Sequence, residues 1–324
     1  MIPDYKLQYN WQDKNSLEHK PTRDGYGVGL EELGYQMPDV VALSADLTES
    51  TRTNLFADTF PDRFFQTGIA EQNMMGIAAG LAINGKIPFA ASYSAFSPGR
   101  NWDQLRVSVC YSKANVKVVS THAGLTVGPD GATHQALEDI AITRVLPNLT
   151  VVVPSDYHEA RKATHQIARM DGPVYMRLGR SKTPIYTSDE TYFELGKANV
   201  LYVGTDVTVV ACGIMVYEAL MAANELAGKG ISVEVINCHT IKPIDAETIV
   251  QSAHKTGAVV TAEEHQINGG LGGAVAEVLA EHNPVPMKRV GVKDTFGESG
   301  TPDELLRKYG VTKNDIVNAI TSLI

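Results

Sequence analysis

The stretch from Gly68 to Gly85, Gly-Ile-Ala-Glu-Gln-Asn-Met-Met-Gly-Ile-Ala-Ala-Gly-Leu-Ala-Ile-Asn-Gly, is the most informative part of the sequence for the fold. Residues 72–83 are predicted to form a helix of small and apolar residues that ends at Asn84-Gly85. Apolar runs flank this helix at 40–43 and 89–91, and both are predicted to be buried strands. A helix between two continuously apolar strands is typical of a parallel sheet that is covered on both faces.

The same alternation of strands and helices continues to the C-terminus. A polar stretch at 180–199 interrupts it, and we place a domain boundary there. The sequence therefore predicts an α/β fold with two doubly wound domains, at 21–190 and 191–324, after an N-terminal arm at 1–20. The other strands are predicted at 116–120, 151–153, 174–176, 208–211, 232–236 and 258–261, and the other helices at 157–170, 216–227, 245–254 and 271–281.

Bulk composition excludes several function classes. The net charge is −9, and no run of Lys or Arg offsets it, so a nucleic-acid partner is not expected. Residues 1–20 contain no apolar signal-peptide core, and no stretch approaches the roughly 20 apolar residues of a membrane span. The three cysteines, Cys110, Cys212 and Cys238, fit no metal spacing. We expect buried, reduced thiols in a cytoplasmic protein and no metal site in this chain.

Glu71 is the first candidate for chemistry. An acid at a helix start is common, because the helix dipole favours it there. The small residues that follow, Gly76, Ala78, Ala79, Gly80 and Ala82, predict close packing against another element, so Glu71 is expected to begin a buried helix. A buried carboxylate needs a partner or a raised pKa, which makes Glu71 an acid–base candidate.

Two further loops follow predicted strands. Tyr93 and Phe96 stand three residues apart, either as core residues or as a platform for a flat ring. His122, Asp130 and His134 lie in a glycine-rich stretch. Their spacing fits no standard metal motif, so polar contacts to a hydroxylated substrate are the favoured interpretation.

Three arginines are candidates for anion binding. Arg23 precedes Asp24-Gly25-Tyr26-Gly27, a segment that its glycines predict to be mobile, and Arg177 and Arg180 follow the strand at 174–176. A guanidinium group binds phosphate or carboxylate with two parallel hydrogen bonds. Each arginine alone would be a typical surface residue, but two at one strand end favour an anion site.

These motifs together resemble the transketolase family from about Arg23 to the C-terminus. The resemblance rests on 68–73 (Gly-Ile-Ala-Glu-Gln-Asn), 121–124 (Thr-His-Ala-Gly), 130–135 (Asp-Gly-Ala-Thr-His-Gln) and 44–50 (Ser-Ala-Asp-Leu-Thr-Glu-Ser). It implies a pyrimidine-binding domain for thiamine diphosphate, followed by a smaller transketolase C-terminal domain. Ala132 stands where many transketolases have a proline.

The resemblance also implies a role for each candidate residue. Glu71 matches the catalytic glutamate that hydrogen-bonds N1′ of the cofactor's aminopyrimidine ring, Tyr93 and Phe96 match its flanking aromatics, and Asp46 matches a nearby acid. His122 and His134 match histidines that contact substrate, and both are also expected to be catalytic. Asp130 matches the group that binds a donor hydroxyl. The residues that match positions holding the sugar phosphate are Arg23, Ser50 and Arg180. Arg177 has no plain transketolase counterpart and is similar to an arginine of deoxyxylulose-phosphate synthase.

The dipeptide Gly-Asp does not occur in this sequence. Single-chain transketolases use a Gly-Asp-Gly motif to bind the diphosphate through Mg²⁺ (or Ca²⁺), and the family also occurs as two separate chains. The resemblance therefore implies an N-terminal partner subunit that holds the metal, in an α2β2 heterotetramer. The implied reaction transfers a two-carbon ketol group from a ketose phosphate to an aldose phosphate, and only with the partner present.

Three alternatives remain open from the sequence. The beta subunit of a 2-oxo acid dehydrogenase decarboxylase component has a similar length and domain pair, but it does not normally show the loop at 130–134. Half of a deoxyxylulose-phosphate-synthase-like enzyme would share that loop. A non-catalytic subunit is disfavoured by the intact set of Glu71, His122, Asp130 and His134. The sugars remain unidentified, because a phosphate, a sulfonate or a carboxylate would suit the arginines.

Overall fold

The structure is a computed structural model that describes residues 7–324. Its strands are β1 (His19–Lys20), β2 (Val40–Ser44), β3 (Phe64–Gln66), β4 (Ile87–Tyr93), β5 (Lys117–Thr121), β6 (Thr150–Val152), β7 (Val174–Arg177), β8 (Thr183–Pro184), β9 (Asn199–Tyr202), β10 (Val207–Ala211), β11 (Val233–Asn237), β12 (Thr240–Lys242), β13 (Val259–Gln266) and β14 (Met287–Val292).

The helices are α1 (Thr22–Gln36), α2 (Thr48–Thr51), α3 (Asn54–Thr59), α4 (Glu71–Ile83), α5 (Trp102–Gln104), α6 (Asp139–Arg144), α7 (Tyr157–Arg169), α8 (Met215–Ala227), α9 (Ala246–Thr256), α10 (Leu271–His282), α11 (Pro302–Lys308) and α12 (Lys313–Thr321). A π-helix, Leu105–Tyr111, continues α5, and short 3₁₀ turns include Leu125–Asp130.

Two sheets carry the two domains, as the sequence predicts for an α/β fold. The first has the strand order β12-β6-β7-β5-β4-β2-β3, and all of its strands are parallel except β12. The second has the order β14-β13-β10-β11-β9, and only β9 is antiparallel. Strand β12 comes from the second half of the chain but pairs with β6 of the first sheet, so the domains share a sheet edge.

The parallel strands of the first sheet explain where the candidate residues lie. The carboxyl ends of parallel strands lie at one edge of a sheet, which is where α/β proteins bind ligands. Strands β2, β3, β4, β5 and β7 end at that edge. The segments that follow them carry Asp46, Glu71, Phe96, His122 and Arg180, and Tyr93 is the last residue of β4.

The glycine-rich segment after Arg23 is helical, contrary to the predicted mobility. Gly25, Tyr26 and Gly27 are buried in the first turns of α1. A Cβ atom on Gly25 would lie 2.2 Å from the carbonyl oxygen of Tyr157, at the start of α7. The glycine therefore permits the close approach of two helices, and it does not indicate a flexible loop.

Helix α4 packs with one face only. Glu71, Met74, Met75, Ala78 and Ala79 are buried in a stripe at helical spacing. The opposite face carries Gln72, Asn73, Gly76, Ile77, Gly80 and Ile83, all exposed. A Cβ atom on Gly76 or Gly80 would meet nothing within 4 Å. Within residues 7–324, nothing packs closely against these two glycines.

The N-terminal segment that the structure describes lies along the rest of the chain. Strand β1 pairs with β8, and the side chain of Leu17 joins the apolar core of the second domain. The Tyr217 hydroxyl donates a hydrogen bond to the Trp11 carbonyl at 3.0 Å. In the described range, no helix is both long and apolar enough to span a bilayer.

Candidate active site

His122 is held in one orientation at the end of β5. Arg23 Nη1 lies 3.2 Å from His122 Nε2 and donates to the Ser50 carbonyl at 2.8 Å. Because a guanidinium group only donates, Nε2 must accept, and the ring proton lies on Nδ1. Nδ1 then donates to Thr121 Oγ1 at 2.8 Å. The predicted contact residues Arg23, Ser50 and His122 thus form one chain of hydrogen bonds.

The imidazole of His122 is neutral over the working pH range of most enzymes. Burial lowers its pKa to about 2, and the positive charges of Arg23 and Arg180 act in the same direction. Its backbone also adopts the left-handed region, with φ +57°. Such a conformation is strained for a residue with a side chain, and strained residues are often found at functional sites.

The predicted aromatic pair lies against both predicted histidines. The Tyr93 ring stacks on His122 with centroids 3.7 Å apart, and it stacks on Phe96 at 5.7 Å. The His134 ring meets Phe96 edge-on at 5.3 Å. The structure therefore brings Tyr93, Phe96, His122 and His134 together, although the two pairs come from separate stretches of the chain.

Glu71 is buried at the first turn of α4, with only 4% of its surface exposed. Arg100 Nη1 donates to the two carboxylate oxygens of Glu71 at 3.2 Å and 3.4 Å. The Arg100 guanidinium also lies over the Phe96 ring, with Cζ 4.0 Å from the centroid. Arg100 was not among the predicted residues. In the sequence, little distinguishes Arg100 except its position four residues after Phe96.

The two predicted aspartates lie on exposed segments at the same edge of the sheet. Asp46 follows β2 in the left-handed region, with φ +60°, and its backbone N–H donates to Gln66 Oε1 at 2.7 Å. Asp130 ends the 3₁₀ segment Leu125–Asp130. Both residues are exposed, so a ligand can reach either carboxylate.

The second domain anchors the segment that carries Asp130. Glu264, in β13, accepts hydrogen bonds from the Thr126 backbone N–H at 2.6 Å and from Thr126 Oγ1 at 3.3 Å. Arg180 Nη1 donates to the Val127 carbonyl at 2.7 Å. A Cβ atom on Gly124 would lie 2.3 Å from the Glu264 carboxyl carbon. Glycine at 124 therefore lets the loop approach the carboxylate that holds it.

Arg177 does not occupy the position that the sequence predicted. It is 6% exposed, and its Nε donates to Asp139 Oδ2 at 2.8 Å. Its Nη2 donates to the Glu264 carbonyl at 2.9 Å, and the Tyr175 hydroxyl donates to the same Asp139 oxygen at 2.7 Å. The structure therefore places Arg177 in the interior, where its side chain joins the two domains, and its role in substrate binding stays a prediction.

Arg52 completes a group of cations that the sequence did not reveal. Burial lowers the pKa of Arg23, and the positive charges of Arg52 and Arg180 lower it further, so Arg23 lies near both of these cations. Arg52 Nε donates to Asp24 Oδ1 at 2.6 Å. Arg52 lies two residues after Ser50, and that position was its only sequence signal. Three clustered cations, one of them paired with a carboxylate, favour an anionic ligand.

Unlike these arginines, the potential metal ligands of the described residues do not form a cluster. Among the described residues, no group of three or more His, Cys, Asp or Glu side chains is placed to hold a metal ion. Cys110, Cys212 and Cys238 are buried free thiols.

Comparison with known families identifies both domains of the chain. The profile "Transketolase, pyrimidine binding domain" matches residues 18–185, and "Transketolase, C-terminal domain" matches residues 196–316. The chain belongs to the transketolase family. The predicted site positions from Arg23 to Arg180 all lie within the residues that the pyrimidine-binding profile matches.

Transketolase relatives of similar length cover almost the whole chain. A putative transketolase C-terminal section of Methanocaldococcus jannaschii is 50% identical over 95% of this chain and 97% of its own length. A 6-deoxy-6-sulfo-D-fructose transketolase subunit of Clostridium sp. (strain MSTE9) is 48% identical over 94% of each chain. A solved split-gene transketolase, described as an inactive beta4 tetramer, superposes with a TM-score of 0.88 at 52% identity, over 94% of this chain and 98% of that one.

Proposed function

We propose that this transketolase-family chain is the C-terminal subunit of a thiamine-diphosphate-dependent transketolase. The enzyme transfers a two-carbon ketol group from a ketose to an aldose, and it shares its active site with an N-terminal subunit that holds Mg²⁺. The observation that carries the proposal is the buried carboxylate of Glu71, which Arg100 links to the Phe96 ring, at the sheet edge where His122 and His134 also lie.

The residues around Glu71 fit the aminopyrimidine half of the cofactor. That ring is flat, stacks on aromatic side chains and needs a carboxylate at one ring nitrogen. In this structure a flat cation, the Arg100 guanidinium, already stacks on Phe96 and bonds to Glu71, so the site has the shape and charge for such a group.

The cofactor, when bound, supplies the nucleophilic carbon and the electron sink for cleaving the ketose carbon–carbon bond. The chain's own residues bind and orient. Glu71 would hold a proton at the ring nitrogen N1′, and Phe96 with Tyr93 would fix the ring plane. His122 is neutral and accepts a hydrogen bond at Nε2, so it would orient the substrate without supplying a positive charge. His134 and Asp130 would contact sugar hydroxyls.

The cations at Arg23, Arg52 and Arg180 would bind the far end of the sugar. The relative at 48% identity is described as acting on a sulfonated fructose, and the resemblance implies phosphorylated sugars. Phosphate and sulfonate are both tetrahedral oxyanions that accept several hydrogen bonds from guanidinium groups. We therefore propose a ketose with a terminal oxyanion as the substrate class.

The exposed face of α4 supports a partner subunit. Glu71 begins this helix, and Gly76, Ile77, Gly80 and Ile83 lie along its uncovered side. Glycines at i and i+4 lie on the same side of a helix, and there they let another element approach its backbone closely. A partner that covers this face would meet the chain beside Glu71, as a shared active site requires.

Co-expression tests the proposal directly. This chain would be purified with the product of the adjacent gene, and the complex assayed with ketoses that end in a phosphate, a sulfonate or a hydroxyl group. We expect ketol transfer by the complex, none by either chain alone, and tight binding of thiamine diphosphate with Mg²⁺ only in the complex. Transfer by the isolated chain, or a stable complex without transfer, would refute the proposal.

A further inference from the structure

Arg100 makes two contacts that involve the proposed cofactor residues. Its Nη1 donates to both oxygens of the Glu71 carboxylate, at 3.2 Å and 3.4 Å. Its guanidinium carbon lies 4.0 Å from the centre of the Phe96 ring. One flat cation thus stacks on the aromatic and donates to the carboxylate at the same time.

The backbone of Arg100 is fixed, whereas its side chain is half exposed. Its N–H donates to the Phe96 carbonyl at 2.8 Å, and its own carbonyl accepts from Gln72 Nε2 at 3.2 Å. The side chain is 50% exposed, while that of Glu71 is 4% exposed. The guanidinium group can therefore swing into solvent without disturbing the main chain, but the Glu71 carboxylate cannot follow it.

The two contacts are the ones that an aminopyrimidine ring would require. Such a ring would stack on an aromatic side chain and donate an N–H to the glutamate. A guanidinium group is planar and delocalised, stacks on aromatic faces and donates in its plane. It therefore reproduces both contacts, and a ring placed over the same face of Phe96 would compete with the guanidinium group for that position.

We propose that Arg100 occupies the aminopyrimidine position of the unloaded subunit and must leave before thiamine diphosphate can bind. The inference rests on the proposed function. It also explains the role of Arg100 in the free chain, because a buried carboxylate without a counter-charge destabilises the fold. Arg100 neutralises Glu71 until the cofactor replaces it, and this competition lowers the apparent affinity for the cofactor.

The main test is calorimetric titration of the complex of both subunits with thiamine diphosphate and Mg²⁺. Arg100→Ala should bind the cofactor roughly three- to tenfold more tightly than the wild type, the range that one half-exposed ion pair and one cation–π contact support. Arg307→Ala, which removes an exposed arginine from α11, is the matched control and should leave the affinity unchanged. Arg100→Gln gives the same comparison if the alanine variant does not fold.

A second readout needs no cofactor. Urea unfolding of the isolated chain in a double-mutant cycle of Arg100→Ala and Glu71→Gln measures whether the two side chains interact. We expect Arg100→Ala to destabilise the wild type and to have a smaller effect in the Glu71→Gln background.

The outcomes separate this inference from the proposed function. Unchanged or weaker cofactor binding by Arg100→Ala, with normal binding by the wild type, would overturn the inference alone; weaker binding would make Arg100 a cofactor or partner contact. Additive effects in the unfolding cycle would also overturn it. Failure of the wild-type complex to bind thiamine diphosphate would defeat the proposed function and this inference with it.

Discussion

Glu264 of the second domain accepts a hydrogen bond from the backbone N–H of Thr126 at 2.6 Å, and so holds a loop of the first domain. That loop ends at Asp130, a proposed substrate residue. The carboxylate is buried, and burial raises its pKa to about 7. The loop that presents Asp130 therefore depends on a group in the other domain that titrates near neutral pH.

Glu264→Gln should change how stability depends on pH. The pKa of Glu264 is about 7 in the folded chain, whereas the ordinary glutamate value of 4.5 applies once the chain unfolds. Between these values the folded chain retains a proton that the unfolded chain has lost. Stability of the wild type should therefore fall relative to Glu264→Gln as pH rises through this window, by at most about 1.4 kcal/mol per pH unit, and then level off.

Urea unfolding of both proteins from pH 5 to 8.5 measures this difference. Glu281→Gln, at an exposed position in α10, is the control and should run parallel to the wild type. A constant difference between wild type and Glu264→Gln over this range would contradict the titration of Glu264.

Glu71→Gln should abolish turnover and preserve the fold. The amide has nearly the same shape but cannot hold a proton at the aminopyrimidine nitrogen, so we expect the kcat of the complex to fall at least about a hundredfold. Ketol-transfer kinetics and circular dichroism of the complex measure the two effects. Glu281→Gln serves again as the control, and normal turnover by Glu71→Gln would eliminate the proposed role.

Arg180→Ala should weaken recognition of the anionic end of the sugar. Its guanidinium group belongs to the cation cluster around His122, so we expect the KM for phosphorylated or sulfonated ketoses to rise about tenfold or more. The KM for an unphosphorylated ketose should change little. Steady-state kinetics over matched sugars provide the comparison with Arg307→Ala, and an equal rise for charged and uncharged sugars would remove the anion role.

Arg177→Met should affect stability and leave substrate binding almost unchanged. The substitution leaves Asp139 buried without its cation, which should lower the free energy of unfolding by about 3–5 kcal/mol. Adding Asp139→Asn should recover part of that loss. Urea unfolding measures stability, and kinetics per folded molecule measure KM. A large rise in KM in a stably folded Arg177→Met chain would instead support the role in substrate binding that the sequence predicted.

Gly76→Leu should separate folding from assembly. Nothing in the described chain lies within 4 Å of a Cβ atom at position 76, and leucine is a better helix former than glycine. The isolated chain should therefore be at least as stable as the wild type, while the leucine side chain blocks the partner. Sedimentation of the mixed subunits tests this, with Gly228→Leu in the second domain as the control. Full assembly by Gly76→Leu would show that the partner lies elsewhere.

Local pattern was sufficient to predict the layered architecture. Apolar runs such as 40–43 and small-residue helices such as 72–83 form through contacts between residues that are close in the chain. The periodicity of their apolar residues therefore shows whether one face or both faces are buried. Parallel strands then bring their carboxyl ends to one edge, which is why Glu71, Tyr93, Phe96 and His122 could be expected near one another. The family motifs, read on the same loops, led to the transketolase family.

Contacts between residues distant in sequence determined the features that the local sequence pattern could not predict. The strand end that predicted Arg177 as a ligand looks the same in sequence whether the side chain faces a site or an interior partner such as Asp139. The glycines of α1 suggested mobility, but they allow contact with a helix more than a hundred residues away. Arg100 and Glu264 acquire their roles from partners distant in sequence, Glu71 and Thr126. Periodicity records which face of an element is buried, and only the tertiary structure determines which charged groups meet there.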